Sequence, residues 1–173
     1  MGMVDQAVIN FACYEDAKDF LGLASVTLPD VGFITTTVSG AGIAGNVEAP
    51  IIGHMNAMTA QLKFRTFSTE SLKLLEPREH VIDLRAPQQA YDPVAGVYKT
   101  QAVKHVLVLV PTTLSNGNIA PASPTDGSGS YAVRRWVTYI DDAKVMELDP
   151  YNYICELNGV DYLSDARKAL GRS

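Results

Sequence analysis

Residues 58–65 read MTAQLKFR. Met58, Ala60, Leu62 and Phe64 fall on one side of an extended chain, and Thr59, Gln61, Lys63 and Arg65 fall on the other. Successive side chains of a strand point to opposite faces, so this period of two describes a half-buried strand with one polar face. The apolar four require a core. The polar four have no core to enter and must look onto water or a solvent-filled space.

Outward from this stretch the same alternation recurs. Ile82, Leu84 and Ala86 oppose Val81, Asp83 and Arg85. A longer strand follows in KTQAVKHVLVLV (99–110), whose end, Val106 to Val110, is apolar on both faces. Such a segment needs cover from a helix or a neighbouring subunit. SYAVRRWVTYI (130–140) and AKVMEL (143–148) are joined by Asp141-Asp142, residues suited to a tight hairpin. PYNYICEL (150–157) then leads to Asn158-Gly159. Within SYAVRRWVTYI, alternation assigns Arg134 and Arg135 to opposite faces, so they form no patch beside Trp136.

Helices are few. Ser68 caps TESLKLLE (69–76), with Glu70 in the first turn and Pro77 stopping it. DYLSDARKALG (161–171) gives a last helix, with Asp161 as cap, Leu163, Ala166 and Leu170 on one stripe, and Gly171 as terminator. SNGNIAPASPTDGSGS (115–130) reads as a long hairpin tip, because the strands on both sides need each other. A single domain over 1–173 is expected, with long loops at about 38–56 and 112–130.

One motif invites a chemical reading. Gly40-Ala41-Gly42-Ile43-Ala44-Gly45 is a complete G-x-G-x-x-G. Dinucleotide binding needs a strand before it, a helix whose first amides face the phosphates after it, and an acidic residue at ribose distance. FITTTV (33–38) can supply the strand. NVEAPIIGHM (46–55) has no helical apolar period and contains Pro50 and Gly53, and the first acidic residue past Glu48 is Glu70. The glycines therefore read as a tight loop whose small residues permit close approach of another backbone, and no cofactor is expected.

Composition narrows the function further. A chain of 173 residues with 47% hydrophobic and 19% charged residues describes one folded domain. No apolar run is long enough to cross a membrane as a helix, and the N-terminus lacks a signal-type start, so synthesis and residence in a cytoplasm are expected unless an assembly carries the chain out. The net charge of −5 argues against a protein that grips nucleic-acid phosphates. Cys13 and Cys155 lack metal-type spacing and read as two reduced, buried thiols. His54, His80 and His105 stand singly, and Asp141-Asp142 is a turn rather than a carboxylate pair. No nucleophile with its base, zinc helix or phosphate-binding lysine is visible, so catalysis is not expected. A β-barrel module that binds carbohydrate or peptide would share the strand pattern. It should cluster exposed aromatics, whereas the eight tyrosines here are scattered.

Three stretches together resemble one family: LASVTLPDV (23–31), VSGAGIAG (38–45) and TYIDDAKVMELDPYNYICELNGVDYLSDARKALG (138–171). They are similar to the major tail tube protein of contractile-tailed bacteriophages and phage-tail-like bacteriocins. Where that family often carries an arginine before Gly-Ala-Gly, this chain has Ser39. The resemblance implies a mainly β, antiparallel, barrel- or sandwich-like tail tube fold with one short flanking helix and a C-terminal helix. It implies hexameric rings, stacked into a hollow tube through which genome or effector passes, inside a virion tail or tail-like particle. Implied partners are other copies, the tail sheath, baseplate and tape-measure proteins, and DNA that slides through without specific binding; no membrane is involved. Gly40, Gly42, Ile43 and Gly45, with Val106, Val108 and Val110, are the expected subunit or inter-ring contacts. Thr59, Gln61, Lys63 and Arg65 are the candidates to face the lumen, with Asp83 the nearest carboxylate by alternation to pair with the two cations; the alternative arrangement turns this face outward, against the sheath.

Overall fold

A computed structural model describes residues 2–172. The alternating stretch is strand β7 (Met58–Phe64), and its inward residues Met58, Ala60, Leu62 and Phe64 are each no more than 5% exposed. Four short strands precede it: β1 (Val4–Val8), β2 (Ala12–Glu15), β3 (Asp19–Leu21) and β4 (Leu23–Thr27). A separate two-stranded ribbon, β5 (Phe33–Val38) with β6 (Val47–Met55), lies between β4 and β7. After helix α1 (Thr69–Lys73) come the long strands β8 (His80–Asp92), β9 (Val97–Ser115) and β10 (Ser128–Ile140). The chain ends with β11 (Ala143–Asp149), β12 (Ile154–Leu157), β13 (Val160–Asp161) and helix α2 (Ser164–Ala169).

All pairings are antiparallel. The main sheet runs β13-β12-β11-β10-β9-β8-β2-β3, and β7 joins β10 to β4. Only Gly22 separates β3 from β4, so the two branches curl round and meet. Strand β10 makes this possible. Its first half, Ser128–Val133, pairs with β7, and its second half, Trp136–Ile140, pairs with β11, with register shifts marking a bulge between Val133 and Arg135. A bulge bends a strand and lets it pass from one layer to another.

Inside lie Leu62, Ile82, Leu107, Leu109, Tyr131 and Leu148, with Leu74 inserted from the segment after α1. Ile82, Leu84 and Ala86 face this core as their alternation predicts. Cys13 and Cys155 are both free and buried, and burial pushes the Cys13 thiol up to about 12, so it is held as an inert thiol.

Turn chemistry follows the sequence closely. Asp141 and Asp142 take φ of 50° and 64°, and Asn158 and Gly159 take 50° and 83°, the paired positive values of a type I′ hairpin turn. Ser68 caps α1 through a reciprocal pair of hydrogen bonds with Ser71. Five expectations are corrected. The stretch 47–55 is strand β6, so the glycine loop shrinks to residues 39–46; likewise the second loop spans only 116–127. Helix α2 begins at Ser164, because Asp161 sits in β13, where Oδ1 accepts from the Leu163 amide and Oδ2 from Arg167. Its expected stripe is not a buried face, since only Leu163, before the helix, enters the core, while Ala166 and Leu170 are exposed. Finally, the β10 bulge interrupts the alternation that assigned Arg134 and Arg135 to opposite faces, and both line one open cleft with Glu79, Asp149 and Tyr151.

Candidate assembly surfaces

Three surfaces gather the residues singled out in the sequence. The first is the β5–β6 ribbon. Every β5 residue is exposed, and large apolar side chains recur along the ribbon, among them Ile34, Val38, Val47, Ile51 and Ile52. An isolated two-stranded hairpin is marginal in water, so a ribbon of this composition needs something to pack against. Its tip is the glycine motif. The Ile43 amide donates to the Gly40 carbonyl at 3.1 Å, closing a four-residue turn, and Gly42 at its third position has φ of 87°. A type II turn requires positive φ there, which only glycine adopts freely. The glycines shape a turn, and Ile43 is the one large side chain that the turn presents.

At the ribbon's base the pairing slips. Phe33 faces Met55, yet Thr35 already faces Pro50, so residues 51–54 bulge out of the ladder. The bulge leaves an open apolar groove of about 280 Å³ between the ribbon and the β12–β13 edge, lined by Phe33, Pro50, Ile51, Ile52, Gly53, Cys155, Leu157 and Tyr162.

The second surface is the outer face of the β4–β7–β10–β9 layer. Pairing places Thr27, Gln61, Ser130 and Thr113 in one cross-strand row, and Ser25, Lys63, Ser128 and Ser115 in the next. Thr59 shares this face with Ala132 and Val110. Thr59, Gln61, Lys63 and Arg65 are all exposed. The expected pairing with Asp83 does not form. Strand β8 does not adjoin β7, and Asp83 is taken by Arg85 on its own strand at 3.1 and 3.3 Å. Among the described residues, no carboxylate lies within 4.0 Å of Lys63 or Arg65. The result is a hydroxyl-rich, carboxylate-free face.

The third surface lies farther along β9. Leu107 and Leu109 are fully buried, while Val106, Val108 and Val110 are half-buried on the opposite face, so one chain does not complete their cover. Around them run charge pairs: Arg135 with Glu147 at 2.7 Å, and Lys144 with Glu147 at 2.8 Å and Glu156 at 3.1 Å. Burial pushes the Glu147 carboxyl up, but hydrogen bonds from Lys144 and Arg135 outweigh it and hold the group below its ordinary value.

One ionic cluster escaped the sequence. Glu15, fully buried at the end of β2, accepts from His80 Nδ1 at 2.7 Å and Arg78 Nη2 at 3.0 Å, and its other oxygen faces Lys73 Nζ at 3.3 Å. Lys73 and Arg78 belong to the segment between β7 and β8 that carries α1, and His80 opens β8, so one carboxylate pins that segment to the barrel. Burial alone would raise the Glu15 pKa, yet the bonds from His80 and Lys73 leave it lowered. No local signal marks this, since Glu15 and His80 are 65 residues apart. The other histidines are separate: His54 is exposed on β6, and half-buried His105 has Nδ1 near Thr138 Oγ1 and the Trp136 indole N–H, with desolvation lowering its pKa. Among the described residues, no group of three His, Cys, Asp or Glu could hold a metal, and no helix is long and apolar enough to cross a membrane.

The fold and these surfaces define a structural class. The chain matches the family described as phage tail tube protein FII over residues 5–171, and it belongs to that family. Its role is that of a tail tube structural protein, not an enzyme. Solved structures with the same fold include the sheath/tube terminator of an extracellular contractile injection system, at TM-score 0.57 and 14% identity, covering 76% of this chain and 94% of that one. The sheath–tube complex of such a system is similar at TM-score 0.55 and 14% identity, covering 75% and 88% respectively. The tube-terminating cap of the anti-feeding prophage follows at TM-score 0.52 and 15% identity, covering 75% and 87%. No curated relative matches the chain.

Proposed function

We propose that this protein closes into hexameric rings, and that the rings stack into the hollow inner tube of a contractile phage tail or tail-like particle. The tube is a conduit for genome or effector, surrounded by sheath and joined to baseplate and tape-measure proteins, and its subunits are made in the host cytoplasm as one domain. The observation that carries the reading is the hydroxyl-rich face around Thr59, Gln61 and Lys63, which fits a channel wall. Such a wall must let a polyanion slide. A basic lining would grip phosphates and an acidic one would repel them, whereas hydroxyls do neither. In this reading Lys63 and Arg65, which meet no carboxylate among the described residues of their own chain, are neutralised by carboxylates of neighbouring copies. Val106, Val108 and Val110, together with the Gly40–Gly45 tip, supply the apolar contact between copies in this reading.

Electron microscopy of the concentrated, purified protein tests the assembly: rings and hollow fibres support it, and particles that stay monomeric at every salt and concentration overturn it. Labelling tests the wall. In assembled Gln61→Cys tubes the thiol should react with a small maleimide but not with one carried on a globular protein. Equal reaction with both reagents puts this face outside.

A further inference from the structure

We infer that the groove at the base of the β5–β6 ribbon is the seat for the ribbon tip of the next copy, with Ile43 as the inserted side chain. This rests on the self-assembly proposed above and names the contact. Scattered apolar residues on a surface need no partner, and the lone exposed Ile119 and Val94 belong to that kind. The ribbon differs, because Val38 pairs with Val47 beside its tip, Phe33, Ile51 and Ile52 line one groove at its base, and its two strands pair with nothing else.

Tip and seat suit each other chemically. The groove walls from Phe33, Ile51, Ile52 and Leu157 offer no charged group, so a charged occupant would be buried unpaired. From Ser39 to Val47 the tip carries no charge and only Ile43 is large between Val38 and Val47. Nothing lies within 4 Å of where a Cβ would stand on Gly40, Gly42 or Gly45, so in one chain the tip projects into open space with its backbone bare. A bare backbone can enter a narrow groove closely.

Geometry makes the contact intermolecular. Phe33 lines the groove and Val38 begins the tip, five residues apart, about 17 Å at strand rise. A tip therefore does not fill its own groove. Knob and hole are different surfaces of one ribbon, so each union leaves a free tip on one copy and a free groove on the other. Contacts of this head-to-tail kind propagate into rings or fibres.

The test is a disulfide across the contact in the full-length protein. Ile43→Cys combined with Ile52→Cys (at 71% exposed, on the groove rim) should give, under mild oxidant, a ladder of covalent multimers on a non-reducing gel. Both cysteines are introduced in a Cys155→Ala background, which removes the native thiol lining the groove, and each single variant in that background should stay monomeric there. Ile43→Asp should raise the concentration needed for assembly at least about tenfold, while Ile43→Leu leaves it unchanged. Wild-type tubes in micrographs without a ladder from the double variant would overturn the seat and leave self-assembly standing. So would a ladder that forms only when Ile119→Cys or Val94→Cys replaces the tip cysteine. Wild-type protein that never assembles overturns both.

Discussion

Leu163 fills the space that a Cβ on Gly53 would occupy. Gly53 also has φ of 67°, a left-handed value that L side chains rarely adopt. This contact locks the base of the ribbon to the turn before α2, far from it in sequence. Gly53→Ala should therefore destabilise the ribbon on the order of 2 kcal/mol, from backbone strain and overpacking together. Faster amide exchange over 47–55, with the barrel strands unchanged, is the expected signature. Adding Leu163→Ala should restore part of the loss, the part due to overlap.

Gly42→Val probes the tip from the other side. Space is open around that position, so the penalty is the strain of φ at 87°, about 1–2 kcal/mol and confined to the turn. The subunit should keep its circular dichroism and fail to polymerise. Normal tubes from this variant would remove the tip from the assembly contact. Added NAD should release no heat in calorimetry, because the glycines serve a turn.

On β9 the two faces should respond differently to the same change. Val108→Asp places a charge on a half-buried position, and the monomer should fold but no longer sediment as rings. Leu109→Asp places it in the fully buried core and should abolish folding. Rings from Val108→Asp would show that the valine row faces solvent in the assembly.

Acid should loosen the α1 segment. The folded pKa of Glu15 lies below its unfolded value, so folding favours the charged form. The resulting stability is complete above the unfolded carboxylate value, about pH 4.3, and is lost as pH falls through the lower folded value. Glu147 acts in the same direction. Glu15→Gln should lower stability at neutral pH by about 3 kcal/mol, as removal of one partner from a buried ionic cluster does. It should also flatten the acid limb of a urea-midpoint profile. An unchanged acid limb would assign the limb to other carboxylates.

Strand identity was legible wherever alternation ran for six residues or more, as in β7, β8 and β9, and turns were legible where Asp141-Asp142 and Asn158-Gly159 announced them. The N-terminal strands were not. β2 and β3 have four and three residues and turn through Asp16 and Ala17, which take positive φ without a glycine to signal it. Alternation failed at Arg134 and Arg135 because a bulge adds a residue that no periodic pattern records. The tip and the β7 polar face could be picked out, since both are properties of one segment. The groove could not, because it forms only when residues near 52 meet residues near 157 in space.

If copies join tip to groove as inferred above, knob and socket on one ribbon give the assembly a direction. A row of copies joined tip to groove has two chemically unlike ends, one showing vacant sockets and the other unused tips. Growth from a starting template is then one-way, since newcomers can be received at one end by a different surface than at the other. A capping protein needs to copy only half of the joint: a tip with no socket, or a socket with no tip, is enough to stop the fibre.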